Sequence, residues 1–163
     1  MATRETGTIR HAAPLLMAAA VFMAAGGYLH IREWLGGYRG IPDSVPGWFV
    51  VRVGFPVNAA ASALLAAGLV YCAVRASRLA PLVVIGAALF QAGALATLIL
   101  SRTGSVFGWS EPSWGRGPNQ TRAVEIGALL ALAGVAAIAA MQRRRVPAWL
   151  GPRSGVRATG AGS

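Results

Sequence analysis

The sequence predicts an all-α fold: a transmembrane four-helix bundle with ordered extracytoplasmic loops. Three observations carry this. Four segments are each long and apolar enough to cross a bilayer, which takes about 20 mostly apolar residues. The 163-residue chain is 55% hydrophobic and only 12% charged, whereas a soluble domain carries about 25% charged residues. All 15 basic residues are Arg, and they bracket the apolar segments, as topogenic charge does.

The same figures exclude several classes. High hydrophobicity rules out a disordered chain. Gly is frequent without a three-residue period, which rules out collagen. A single Cys, Cys72, rules out an intramolecular disulfide framework and a Cys-rich zinc site. A formal charge of +10 in a soluble chain points to nucleic acid. Here the position of the Arg residues beside the apolar segments argues against a nucleic-acid partner.

The first expected span covers residues 12–30. Arg4 and Arg10 precede it as in a signal peptide, but its apolar core is long and residues 28–32 make a poor cleavage site, so a retained span is expected. The second span covers 49–74, the third 79–100 and the fourth 124–141. Together they form a membrane domain over 1–142. From 143 to 163 the chain is Arg, Pro, Gly and Ser, which predicts a disordered basic cytoplasmic tail; within it, Trp149 and Leu150 are placed to touch the membrane surface.

Four spans put both termini on one side. That side and the second loop hold nine Arg residues: Arg4, Arg10, Arg75, Arg78, Arg143, Arg144, Arg145, Arg153 and Arg157. The other side holds six: Arg32, Arg39, Arg52, Arg102, Arg116 and Arg122. The excess predicts cytoplasmic termini in a multi-pass plasma-membrane protein.

The two long loops are both on the outer side, and Trp34, Trp48, Trp109 and Trp114 lie in or beside them. Two readings fit: an interfacial aromatic belt, or a folded cap over a site, since long loops are often functional. Pro42, Pro46, Gly47, Pro112 and Pro118 supply turn chemistry and favour order.

Ionisable groups in a span need a partner or a role. They gather at the outer ends, giving a candidate polar layer of His30, Glu33, Arg52, Asn58, Arg102 and Glu125. His30, Glu33 and Trp34 share one helical face, as do Asn58 and Ser62. Pro56 removes a helical hydrogen bond and frees the carbonyl of Arg52, so a bent but continuous second helix is expected. Gln91 is the strongly polar residue deep in the third span. Glu125, flanked by Val124 and Ile126, opens the fourth span, where the helix dipole favours an anion. The expected partner is Arg102 first and Arg52 second. Three roles stay open for the layer: a structural clamp, a polar pocket under a cap, and proton transfer through Glu125 and His30.

Distance tests argue against cofactors. His11 and His30, the two His residues, lie about 28 Å apart along a helix, so one chain cannot give both axial haem ligands. His30 and Glu33 have metal-ligand spacing, but a metal needs a third ligand, and no other His is on that side. Cys72 reads as a packing residue. Small residues at four-residue steps (Ala20 and Ala24; Ala88, Ala92 and Ala96; Gly127 and Ala131) predict close helix packing.

The stretch from Gly26-Gly27-Tyr28-Leu29-His30 and Trp34 to Arg52-Val53-Gly54-Phe55-Pro56-Val57-Asn58, with Ser101-Arg102-Thr103, Phe107-Gly108-Trp109-Ser110-Glu111, Trp114 and Glu125, resembles a group of uncharacterised actinobacterial four-span integral membrane proteins. That resemblance implies a His ending helix one, an Arg ending helix three and a Glu opening helix four. The Pro-rich loop from Tyr38 to Pro46 is similar to DoxX-like membrane proteins. Neither resemblance implies an enzyme class. The expected function is non-enzymatic: an accessory or interaction subunit with a polar layer at its outer end. The alternatives are a small-solute or proton-coupled carrier using Glu125, and a DoxX-like redox accessory protein. The expected partners are the lipid bilayer and a membrane protein or second copy; no metal and no cofactor are expected.

Overall fold

Leu16, Ala19, Ala20 and Met23 recur at three- and four-residue steps, the spacing of one helix face. In the computed structural model, which describes residues 2–144, this stripe is the inner face of α1 (Ala2–Gly36). A one-turn 3-10 helix follows at Tyr38–Gly40, then α2 (Trp48–Arg52), α3 (Gly54–Arg75), α4 (Ala80–Thr103) and α5 (Arg116–Arg144). The fold is all-α, and four helical rods, α1, α2–α3, α4 and α5, are long and apolar enough to cross a membrane.

α1 is the most enclosed of the four rods; it packs most extensively against α3 and α5, while α4 closes the ring between them. Its stripe shares one core cluster with Ala66, Leu69 and Cys72 of α3, Ala87 of α4, and Ala128, Ala131 and Leu132 of α5. Small residues set the spacing. A Cβ on Gly27 would lie 3.1 Å from Ser62 Cβ, and one on Gly127 would lie 2.8 Å from the Phe22 ring. Glycine at these two points is what lets α1 approach both neighbours.

The rods depart from the predicted bounds at the loop end. α1 runs past His30 to Gly36, because the residues after His30 are compatible with helix and contain no breaker before the Gly36–Gly37 pair. α5 starts at Arg116, before the expected 124. Pro118 fits its first turn, where a missing N–H costs nothing, and the Asn119 amide donates to the Trp114 carbonyl at 3.2 Å. Glu125 therefore lies nine residues past the first residue of α5, about 14 Å along the axis. The expected dipole stabilisation fails, since that effect is confined to the first turn. α5 continues through Arg144; the rest of the expected basic tail, with Trp149 and Leu150, lies outside the described residues.

The second rod is divided into α2 and α3 at Val53, although Val53 still donates to the Phe49 carbonyl at 3.0 Å and accepts from Val57 at 3.2 Å. Val53 keeps right-handed helical angles (φ −103°, ψ −43°), so the backbone turns without unwinding. Pro56 has no N–H to return to Arg52, and the freed Arg52 carbonyl accepts instead from Trp34 Nε1 at 2.9 Å.

Candidate functional site

The end of α1, the start of α3, the end of α4 and the start of α5 meet at one end of the bundle, and the two long loops fold over it as a cap. The second loop contains a tight turn, Val106 to Trp109, closed by two backbone bonds of 2.8 and 2.9 Å. Phe107 (φ +49°) and Gly108 (φ +88°) at its centre are both left-handed, the geometry of a type I′ turn. The first loop docks on it at Gly47, itself left-handed at φ +70°; a Cβ there would lie 2.7 Å from Trp109 Cα. The folded-cap reading of these loops is the one observed.

Arg102, 9% exposed, rises from the last turn of α4 into the cap. Its Nη1 donates to the carbonyls of Glu111 (2.7 Å) and Ser113 (2.9 Å) and lies 3.3 Å from the Glu111 carboxylate. The Tyr38 hydroxyl donates to the same carboxylate at 2.6 Å. Burial, then the bond to Glu111 and its charge, push the Tyr38 phenol above the usual tyrosine range. Arg52 is spent on the first loop: it pairs with Asp43, donates to the Ile41 carbonyl and stacks 4.6 Å from the Trp48 ring centroid.

Glu125 is 2% exposed. The expected pairing with Arg102 or Arg52 is not observed: both guanidiniums are held by the cap, and the ionisable neighbour of Glu125 is His30, with Nε2 3.8 Å from Oε1. That is an ion-pair distance and not a hydrogen bond. Glu125 Oε2 is buried and has no hydrogen-bond partner among the described residues. Phe55 stacks edge-on against His30 at 4.9 Å between centroids, and against Tyr38 at the same distance.

The three residues on the expected α1 face therefore have three different partners. His30 turns to Glu125 and Trp34 to α2. Glu33 pairs with Arg32 at 2.7 Å, and Arg32 also donates to Gln120 of α5 at 3.1 Å. Asn58 accepts from Ser62 Oγ at 3.3 Å. Gln91, 2% exposed, has its Nε2 unpartnered among the described residues.

A cavity of about 630 Å³ lies beneath the cap, between α2–α3 and α4. His30, Glu33, Asn58 and Arg102 line it; Arg52 does not, and Glu125 stands behind His30. Tyr38, Glu111 and Thr121 also line it and were not candidates from sequence. Thr121 had one available signal, its position four residues before Glu125 on the same face. Glu111 had only its place in the loop motif of the resemblance, since a loop carboxylate carries no periodicity. Among the described residues no group of three or more His, Cys, Asp or Glu is placed to hold a metal ion. No protein-family model, curated protein or solved structure matches the chain.

Proposed function

We propose that the chain is a multi-pass protein of the bacterial plasma membrane with cytoplasmic termini. It works without catalysing a reaction, as an accessory subunit that carries a braced cap and a polar layer at its outer end. The observation that supports this most is the use of the two layer arginines. Arg102 and Arg52 both engage cap backbone and cap carboxylates, which suits a rigid presented surface. The nine-to-six Arg distribution supports the orientation, and the four apolar rods support residence in a bilayer. Reporter fusions at Gly40, Ser77 and Ser110 are expected to read outside, inside and outside, and a fusion at Ser163 inside. An outside signal at Ser163 overturns the orientation. In proteoliposomes the protein is expected to leave an imposed pH gradient intact.

A second reading, a proton-coupled carrier, is favoured by one observation: the buried His30–Glu125 pair sits deeper than a surface clamp needs. Carrier sites lie toward the midplane. Under this reading a pH gradient collapses in the presence of the correct solute, and Glu125→Gln abolishes that flux while the fold survives.

A further inference from the structure

The cavity under the cap is polar at one end and apolar at the other. Its polar end holds His30, Asn58, Arg102 and Thr121. Its mouth opens sideways between α3 and α4, past Val57 and Leu89, which are 61% and 70% exposed. Phe49 and Phe107, 5.9 Å apart between centroids, stand at the cap corner of that mouth. At about 630 Å³ the space is within the range of about 300–1,000 Å³ typical of small-molecule sites.

Two features of the polar end define what fits. The arginine and the carboxylates on its wall each have a countercharge beside them: Arg102 with Glu111, and Glu33 with Arg32. A ligand bearing a net charge would be buried there without compensation, which is strongly unfavourable. Thr121 is only 6% exposed, yet it faces the cavity and its hydroxyl has no hydrogen bond among the described residues. A hydroxyl that opens on the cavity without a protein partner can donate and accept and marks where an uncharged hydrogen-bonding group would sit.

We infer that the cavity binds an uncharged single-chain amphiphile, its hydroxyl or carbonyl headgroup at Thr121 and Asn58 and its tail leaving between α3 and α4. The ligand enters from the bilayer, so this rests on the membrane reading above. The reporter fusions test that reading separately and can fail or succeed without the binding test doing so.

Gly93 lines the cavity, and a Cβ placed on it meets nothing within 4 Å. Gly93→Leu therefore projects a side chain into the tail channel from a position where its Cβ meets no neighbour, and it replaces a poor helix former. The experiment is native mass spectrometry of the full chain in detergent at about pH 9, where a carboxylate is ionised. The probes are octadecan-1-ol, octadecanoate and octadecyltrimethylammonium at equal concentration. A one-to-one adduct with the alcohol is expected, exceeding either charged probe by about ten-fold or more. Gly93→Leu is expected to abolish it. Thr121→Val, which removes only the hydroxyl, is expected to weaken it about three- to ten-fold. Both variants are expected to keep the wild-type Tm or exceed it. Equal binding of all three probes, an adduct that survives Gly93→Leu, no adduct at all, or a dimer in place of the adduct would each overturn the inference.

Discussion

Arg102 and Glu111 are joined twice, once through the Glu111 carbonyl at 2.7 Å and once through its carboxylate at 3.3 Å. The side chain that ends α4 thus fixes both the path and the charge of the loop that follows. Removing Arg102 leaves two buried carbonyl contacts unmade and a Glu111 carboxylate that is 30% exposed, at a cost of about 1–3 kcal/mol. Arg102→Gln is expected to lower stability in detergent by roughly that amount and to raise amide exchange over residues 105–115. Arg102→Lys is not expected to restore protection, since one ammonium cannot reproduce the guanidinium geometry. Unchanged exchange in Arg102→Gln would refute the brace.

Tyr38 gives the cap a pH limit. Its pKa is higher in the folded state because the phenol is buried and bonded to Glu111. Its contribution is therefore complete below the ordinary tyrosine value of about 10, and it is lost as pH rises through the higher, folded value. The stability gap between wild type and Tyr38→Phe is expected to be constant from neutral pH to about 10 and to close above it. Thermal unfolding of both proteins across that range measures it.

The Glu125 partner can be read by additivity. Uncoupled sites add within about 0.3–0.5 kcal/mol, and contacting ones deviate by about 0.5–3 kcal/mol. Glu125→Gln combined with His30→Gln is expected to deviate, and Glu125→Gln combined with Arg102→Gln to add. Coupling to Arg102 in place of His30 would contradict the observed geometry.

The divided second rod offers a rescue experiment. Trp34→Phe removes the donor to the Arg52 carbonyl and is expected to cost about 1–2 kcal/mol. Pro56→Ala restores an N–H that can return to that carbonyl, so it should recover much of the loss. If the two changes simply add, the carbonyl is not what Trp34 satisfies.

Two glycines make a contrast in the same assay. Gly47→Ala places a methyl against the Trp109 backbone at a left-handed position and is expected to destabilise the cap by more than about 1 kcal/mol. Gly93→Ala meets open space and is expected to stabilise by about 0.5–1 kcal/mol.

How far the residues could be read in advance depended on the range of the interaction. The four rods were legible because apolar length is a local property. The freed Arg52 carbonyl was legible because proline lacks an N–H; that Trp34 would answer it was not, since the register of α1 on α3 is set by packing at Gly27 and Ser62. His30, Glu33, Asn58 and Arg102 were placed around the cavity, but the pairing of Glu125 with an arginine was not. Coulomb reasoning favours the strongest cation nearby. It does not see that loop carbonyls nine and eleven residues from Arg102 in sequence reach the guanidinium first. The start of α5 was misjudged because polar residues 116–123 look like loop while remaining competent to form helix.

The central position of α1 bears on how the chain is made. α1 is the first rod to leave the ribosome and the most enclosed of the four in the finished fold. Its inner face waits for α3 and then for α5, the last of these four rods to be synthesised. His30 meets Glu125 only after ninety-five further residues have been added. During that interval, the polar end of α1 lacks the partners it has in the native fold. The nascent protein thus passes through a half-assembled stage, and a product that stops after α4 has α1 covered by α3 but open on the side that α5 takes in the native fold.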